Sequence, residues 1–522
     1  MKMGIALRWK GIFCIIALLS ISTIRVSGTE TQQQADSAPD PAGIISIDGM
    51  KIFGDLERPP VLFQHDRHTA AVQKQGKDCT VCHLQQEGNL LLLFKRAENS
   101  APKAVMNLYH ENCIACHKET DAAKQPSGPV ECGGCHVEKP TVQPAQQPAG
   151  MDKSLHFRHS KALENKCDSC HHEYDSVAKK LIYVKDAEGS CRFCHKQVTE
   201  ENRISISLAA HKACIGCHLK TASRQQKTGP FTCAGCHNAE SRRLVEKISP
   251  VPRMERKQPD VAMIKTGKEQ VEHRMNFTPF DHKAHENYND TCRVCHHAGM
   301  QACNTCHTMD GKKEGADIRL EQAMHRINAD PSCIGCHTRQ QQKRECAGCH
   351  ALMSPDGGSS DATCAKCHSA IPTADQQSVT PEEEKAAAAA LLGARTFITG
   401  LPEEKDIPEK VVIKRMSDKY EPVELPHRKI VKTLFEEIKD NKLAGYFHAR
   451  QETICQGCHH NSPASLNPPQ CVSCHGKPFS DPDVLKPGLL GAYHIQCMEC
   501  HKKMEIDKPA TCTECHKKKN TN

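Results

Sequence analysis

Aromatic side chains are scarce: one Trp, seven Tyr and thirteen Phe in 522 residues. With a hydrophobic fraction of 38%, below the usual range for soluble domains, this scarcity argues against an ordinary side-chain core. Aromatic residues that would stack nucleic-acid bases are missing as well, so a formal charge of +7 is no argument for binding DNA or RNA. Long apolar runs are lacking beyond the N-terminus. There Lys2, Arg8 and Lys10 accompany the nearly all-apolar stretch 11–24, and Val26-Ser27-Gly28 offers small residues for cleavage. The pattern reads as an export signal over residues 1–28, with the mature chain starting near Thr29 and soluble outside the cytoplasm. The apolar run is too short to span a bilayer comfortably. Losing Lys2, Arg8, Lys10 and Arg25 lowers the formal charge to about +3.

Cysteine and histidine are abundant instead, at 33 and 32 residues. They fall into Cys-x-x-Cys-His motifs, numbered 1 to 16 in chain order. Motifs 1 to 4 are Cys79, Cys82 and His83; Cys113, Cys116 and His117; Cys132, Cys135 and His136; Cys167, Cys170 and His171. Motifs 5 to 8 are Cys191, Cys194 and His195; Cys214, Cys217 and His218; Cys233, Cys236 and His237; Cys292, Cys295 and His296. Motifs 9 to 12 are Cys303, Cys306 and His307; Cys333, Cys336 and His337; Cys346, Cys349 and His350; Cys364, Cys367 and His368. Motifs 13 to 16 are Cys455, Cys458 and His459; Cys471, Cys474 and His475; Cys497, Cys500 and His501; Cys512, Cys515 and His516.

Residues i, i+3 and i+4 share one face of a helical turn. Two thiols then bond the two vinyl groups of a haem while the adjacent imidazole reaches its iron, which is c-type attachment. Chance would supply roughly 0.1 such motifs at this composition. The remaining cysteine, Cys14, lies in the signal, so none is left for disulfides, although the compartment would permit them. Structural zinc pairs half-motifs into four-ligand sets and gives no reason for His after every second Cys. A thioredoxin-like motif would occur once, near a βαβ pattern. Sixteen covalent c-type haems are therefore predicted, their macrocycles filling the interior and their irons held proximally by the motif histidines.

Sixteen histidines remain: His65, His68, His110, His156, His159, His172, His211, His273, His282, His285, His297, His325, His427, His448, His460 and His494. They recur in register with the motifs. One repeat reads His156-x-x-His159, motif 4 followed at once by His172, motif 5, His211, then motifs 6 and 7. The next reads His282-x-x-His285, motif 8 with His297, motif 9, His325, then motifs 10 and 11. The first, His65-x-x-His68, motif 1, His110, motifs 2 and 3, lacks one motif and also lacks the His after motif 1, where Leu84 stands. That joint loss marks the spare histidines as distal ligands. The chain divides into a connector (29–60), a trihaem module (61–137), tetrahaem modules (151–238 and 272–351), an isolated haem with a helical linker (352–447) and a last tetrahaem module (448–522).

The signature Phe-x-His-x-x-His, Cys-x-x-Cys-His-His and a lone His ahead of the third motif resembles the tetrahaem cytochromes c of sulfate-reducing bacteria. Phe63-Gln64-His65 and Phe280-Asp281-His282 show the aromatic lead-in, from which Leu155 departs. The full array is similar to the sixteen-haem high-molecular-weight cytochromes of those bacteria, and the part from about residue 272 to their nine-haem cytochromes. The resemblance implies that His65, His68 and His110 serve motifs 1, 2 and 3; His156, His172, His159 and His211 serve motifs 4, 5, 6 and 7; and His282, His297, His285 and His325 serve motifs 8, 9, 10 and 11. His460 and His494 fit motifs 14 and 16. The last His-x-x-His is broken. Resemblance favours His427, with Ile430 in the second position; spacing to Cys455 favours His448 as the surviving second member. On the family reading His427 serves motif 13, His448 the isolated motif 12, and motif 15 is left five-coordinate beside Ile430. His273 is then spare, or a ligand for motif 12 or 15.

The expected fold is mostly α with much irregular chain, in tandem multihaem cytochrome c modules. Thr380-Pro381-Glu382-Glu383 reads as a capped helix start. Ile430, Leu434 and Ile438 mark an amphipathic helix ending near Gly445. About 31 residues per haem cannot insulate neighbours, so electrons can hop between them. Imidazole on both sides of iron lowers its potential and leaves no free coordination site, which favours a carrier over an enzyme. The alternative is a multihaem reductase acting at an open haem. The resemblance implies a periplasmic location, a periplasmic hydrogenase and a small tetrahaem cytochrome c as donors, a membrane redox complex as acceptor, and a role in sulfate respiration. Lys502, Lys503 and Lys517 to Lys519 read either as a docking patch or as a solvated end.

Overall fold

The computed structural model describes residues 39–522 apart from 87–88, 201–202, 266–274, 351–352, 354–360, 370–379, 399, 416, 418–419, 477–485, 509–510 and 520–522. The export signal and His273 lie outside the described residues.

Three of the four repeats enter their first histidine helix in the same way. Strand β1 (Ile44–Ile47) pairs antiparallel with β2 (Val61–Gln64), which runs straight into the helix His65–Lys74. Two further hairpins, β3 (His83–Gln86) with β4 (Asn89–Phe94) and β5 (Glu173–Asp175) with β6 (Lys180–Ile182), follow motifs 1 and 4. Strands β7 (Val261–Ile264) and β8 (Thr278–Asp281) then lead into the helix His282–Tyr288. Strands β9 (Val411–Ile413) and β10 (Val423–Leu425) lead into His427–Ile438. Each of these helices opens on a histidine. The second repeat uses a different device: Asp152 caps the helix Lys153–Ala162 by accepting from the Leu155 N–H at 2.8 Å. Among the described residues, strand structure is confined to these five two-stranded sheets and two isolated bridges, so the fold is mostly helical with much irregular chain.

The motifs themselves are single turns. Motifs 1, 4, 8 and 13, the first of each repeat, begin in 3-10 turns at Cys79–Val81, Cys167–Ser169, Cys292–Val294 and Gln451–Gly457. A 3-10 turn eclipses residues i and i+3, bringing the two thiols to one side. Most others are α-helical, from the single turn Cys132–Cys135 to motif 15 within Leu489–Lys503. Some starts are capped by the preceding residue: Thr232 accepts from Gly235 N–H at 3.2 Å, and Ser332 from Gly335 N–H at 2.8 Å.

Among the described residues buried apolar side chains are few: Ala42, Ile44 and Val105 toward the N-terminus, and Leu320, Ala347, Ala388, Ile407 and Met504 beyond. This is the thin core that the composition implies. The chain groups into two compact units. One comprises the residues up to 149 with Cys214–Val245; the other comprises 150–213 with everything from Glu246 on. The second repeat thus contributes to both.

In the linker, Thr380 and Glu383 form the expected capping box at the helix Pro381–Gly393, which packs on β7 and β8. The amphipathic helix departs from expectation at its end. It stops at Ile438, because Asn441 accepts from the Ala444 N–H at 3.1 Å and starts a second helix, Lys442–Phe447. Gly445 is buried inside that second helix, where its carbonyl accepts from Ile398 N–H at 2.9 Å.

Candidate functional site: paired imidazoles

In most motifs the histidine extends from its turn and its Nδ1 is held by a main-chain carbonyl. His83 bonds Leu91 O at 3.0 Å, His136 Pro59 O at 2.7 Å, His195 Ile204 O at 2.8 Å, His307 Ile318 O at 2.9 Å, and His368 Asn276 O at 2.7 Å. His237 of motif 7 bonds Gln147 O at 2.8 Å, an acceptor in the connector ahead of the second repeat. Three further acceptors are prolines 12 residues past the histidine: His117 bonds Pro129 O, His218 bonds Pro230 O and His475 bonds Pro487 O, each at 2.7 Å. In the first two the preceding glycine lies flat on the ring; a methyl group on Gly128 would come 2.4 Å from His117 Cε1, and one on Gly229 2.5 Å from His218 Cε1. Sequence reasoning passed over this Gly-Pro turn, although Gly128-Pro129 and Gly229-Pro230 stand in the same register behind their motifs.

The spare histidines on helices are fixed from the other side. His68, His159, His285, His325 and His494 place Nδ1 2.7 to 2.9 Å from the carbonyls of Gln64, Leu155, Asp281, Glu321 and Leu490, one turn earlier. An Nδ1 hydrogen donated to a carbonyl leaves the Nε2 lone pair for a metal. Phe63 and Phe280 pack on His68 and His285 at 4.2 and 4.3 Å, which explains the aromatic lead-in.

Twelve spare histidines among the described residues face a motif histidine, with ring centroids 5.8 to 6.5 Å apart. Two imidazole–metal bonds of about 2 Å, with about 1.1 Å from each nitrogen to its ring centre, demand a separation of about 6.3 Å. The rings fit one iron between them. In the first unit His65 faces His83, His68 faces His117, and His110 faces His136. In the second His156 faces His171, His172 faces His195, His282 faces His296, and His297 faces His307. His427, His460 and His494 face His459, His475 and His516. His285 is the electrostatic neighbour of His337.

Two pairings differ from those carried over by resemblance. His325 faces His368 of motif 12 rather than motif 11, and His448 faces His350 of motif 11 rather than motif 12, both at 6.0 Å. The inserted motif is therefore the eleventh. Its partner comes from the linker, while motif 12 closes the third repeat. Of the two candidates for the broken His-x-x-His, His427 takes the first position, opposite motif 13. Among the described residues no ring faces His501 of motif 15.

Burial pushes His83, His285, His337 and His350 below the ordinary imidazole range. His448 is pushed down to about 4, by burial first and then by His350 and Lys366. Neutral imidazole is the ligating form.

The polypeptide covers the motif sulfurs to different depths. Burial raises Cys113 and Cys349 to about 11. By contrast Cys116, Cys170, Cys194, Cys217 and Cys474, each the second thiol of its motif, are exposed. Cys306 and Cys336 are only half-buried. The reason is local: an attachment site is a single turn on a chain with few apolar residues, so little polypeptide folds over its sulfurs. A sulfur that bonds a vinyl carbon needs one open side, which the five exposed sulfurs have.

The thiols also fit thioether anchoring better than zinc. Among the described residues the only metal-sized cluster is His65, Asp66 and Cys233, so the Cys-x-x-Cys pairs do not converge into four-ligand sets. Nor does any disulfide join the described cysteines. Asp66 instead receives the N–H groups of Cys233 and Ala234 at 2.9 and 2.7 Å, capping the turn of motif 7. Among the described residues no helix is long and apolar enough to cross a membrane.

The class III cytochrome C family model matches residues 46–136, 138–237, 259–368 and 424–516. Its third span reaches motif 12, as the His325–His368 pair does. The chain is 42% identical to the high-molecular-weight cytochrome c of Nitratidesulfovibrio vulgaris, over 97% of this chain and 96% of that one. It is 42% identical to the nine-heme cytochrome c of Desulfovibrio desulfuricans over 44% of this chain and 75% of that one, a likeness carried by the C-terminal half. The structure of the sixteen heme cytochrome from Desulfovibrio gigas matches 92% of this chain and all of that one, with a TM-score of 0.83 and 39% identity. Repeated Cys-x-x-Cys-His turns, imidazole pairs spaced for iron and these likenesses lead to one conclusion: the chain belongs to the class III cytochrome c family, as a multihaem cytochrome c that binds c-type haem and transfers electrons.

Proposed function

We propose that the chain holds sixteen covalent haems and carries electrons through them in the periplasm, from a hydrogenase and a small tetrahaem cytochrome c to a membrane redox complex in sulfate respiration. The observation that carries this reading is the recurrent spacing of about 6 Å between paired imidazoles, matched to two metal–nitrogen bonds. The donor and acceptor classes follow from the resemblance to cytochromes of sulfate-reducing bacteria. Haem, when bound, supplies a one-electron couple, at low potential where imidazole stands on both sides.

The residues of the chain do the rest. Motif thiols anchor, main-chain carbonyls hold the Nδ1 hydrogens, and the spare histidines complete the pairs. His325 then serves motif 12 and His448 motif 11, while for motifs 6 and 7 the resemblance implies His159 and His211. Glycines let attachment turns touch. A methyl group on Gly348 of motif 11 would lie 3.0 Å from Cys500 Sγ of motif 15, and one on Gly457 of motif 13 would lie 2.8 Å from Cys349 Sγ of motif 11. Motifs 11, 13 and 15 thus adjoin, giving electrons a crossing between the third and fourth repeats.

Register leaves motif 15 with Ile430 where the other repeats have their second histidine. This supports a five-coordinate site there, and with it the second reading, a reductase acting at that site. The test is an iron and haem count on mature protein, EPR of the oxidised form, and CO binding to the reduced form. Sixteen haems, one high-spin site and rapid exchange with a small tetrahaem cytochrome are expected. Far fewer than sixteen haems would overturn the count, and sustained turnover of nitrite would favour the reductase.

A further inference from the structure

In the first two repeats the proximal ring of the motif before the last, His117 or His218, is held by the Gly-Pro turn. In the third repeat the corresponding ring is His337. Motif 11 has been inserted behind it, no Gly-Pro turn follows, and no carbonyl among the described residues receives its Nδ1. What meets it is Phe447, whose ring stands edge-on at 5.8 Å with the planes 89° apart.

Phe447 is itself tied on both sides. Its carbonyl accepts from Lys366 Nζ, inside motif 12, at 2.7 Å, and the same ammonium lies 5.6 Å from the Phe447 ring centre. Tyr446 donates its hydroxyl to the Lys366 carbonyl, and its ring lies 4.7 Å from the Arg395 guanidinium. His448 faces His350 of motif 11 at 6.0 Å. Three consecutive residues of the linker therefore touch three different attachment sites.

We infer that Phe447 is a positioning residue. It fixes the plane of the His337 imidazole in place of the missing Gly-Pro turn, and through Tyr446, His448 and Lys366 it makes motifs 10, 11 and 12 one coupled group. The inference rests on the reading of these histidines as axial ligands. Groups that touch a ligating imidazole set its orientation, and orientation tunes the metal it binds. A residue shared by three sites therefore passes a disturbance at one to the others.

The test uses the full-length, haem-loaded protein. Phe447→Leu is expected to keep the wild-type haem count, to shift one low-spin ferric EPR signal, and to shift the midpoint of the same site in a potentiometric titration. Phe447→Tyr, which keeps the ring edge, is expected to restore both. Lys366→Gln releases the tether from a different motif and is expected to move the same EPR signal, so it serves if the leucine variant does not mature. A full haem count with spectra and titrations of both Phe447→Leu and Lys366→Gln superimposable on wild type would overturn the inference. A low haem count in the wild-type protein would instead overturn the ligand reading beneath it.

Discussion

The ring of His325 faces that of His368 at 6.0 Å, across the inserted motif 11. Its place in the sequence repeat pointed to His350, which is occupied by His448 instead.

This exchange gives an epistasis test. His325→Gly is expected to convert one low-spin ferric site to high-spin by EPR. In a background carrying both Cys364→Ala and Cys367→Ala, which removes motif 12, the same substitution should add no high-spin site. An added site there would return His325 to motif 11.

Motif 15 gives a gain-of-ligand test. The helix His427–Ile438 opens on a histidine, as His65–Lys74 and His282–Tyr288 do, but carries Ile430 where they carry His68 and His285. Ile430→His is expected to lower the high-spin count by one and abolish CO binding to the reduced protein. Unchanged CO binding would show that the open site is elsewhere.

The contact between motifs 11 and 15 leaves no room for a methyl group. At Gly348 it would meet Met504 Sδ at 2.4 Å, and Met504 is buried. Gly348→Ala is expected to cost about 1–3 kcal/mol by overpacking. Chemical denaturation reads the loss, and adding Met504→Ala should recover part of it.

The capped helix of the second repeat carries a pH signature. Burial acts to raise the Asp152 carboxyl, but the Leu155 N–H and Lys247 outweigh it, holding the group below its ordinary 3.8. A folded value below the unfolded one makes the contribution full above pH 3.8 and lost as pH falls through the folded value. Asp152→Ala is expected to cost about 1 kcal/mol near neutrality. The gap in melting temperature between variant and wild type should close on acidification below pH 4; a gap that persists would assign the loss to something other than the carboxylate.

Much of this was legible because the spacing is chemical. Cys-x-x-Cys-His announces itself, and the capping box at Thr380 and the hairpin-led histidine helices follow from local rules. The exchange of His325 and His448 was not legible, because the distance from His325 to Cys346 imitates that from His110 to Cys132 and from His211 to Cys233. Only the fold shows that an extra motif sits inside the repeat. Nor does a motif reveal how deep its sulfurs lie: Cys113 and Cys116 share one motif, yet the first is half-buried and the second exposed. The second linker helix escaped because Gly445 looks like a terminator, whereas its burial beside Phe397 and Ile398 is what favours a small residue. Phe447 escaped for a plainer reason: its partners, His337 and Lys366, are remote in sequence.

The short roll of buried side chains around Val105, Leu320 and Met504 has a consequence for biogenesis. A polypeptide with so little apolar surface to hide gains too little on collapse to offset its chain entropy alone. Cofactor ligation must then come before or during folding, so a nascent chain starved of porphyrin would stay open and be degraded rather than accumulate as a compact precursor.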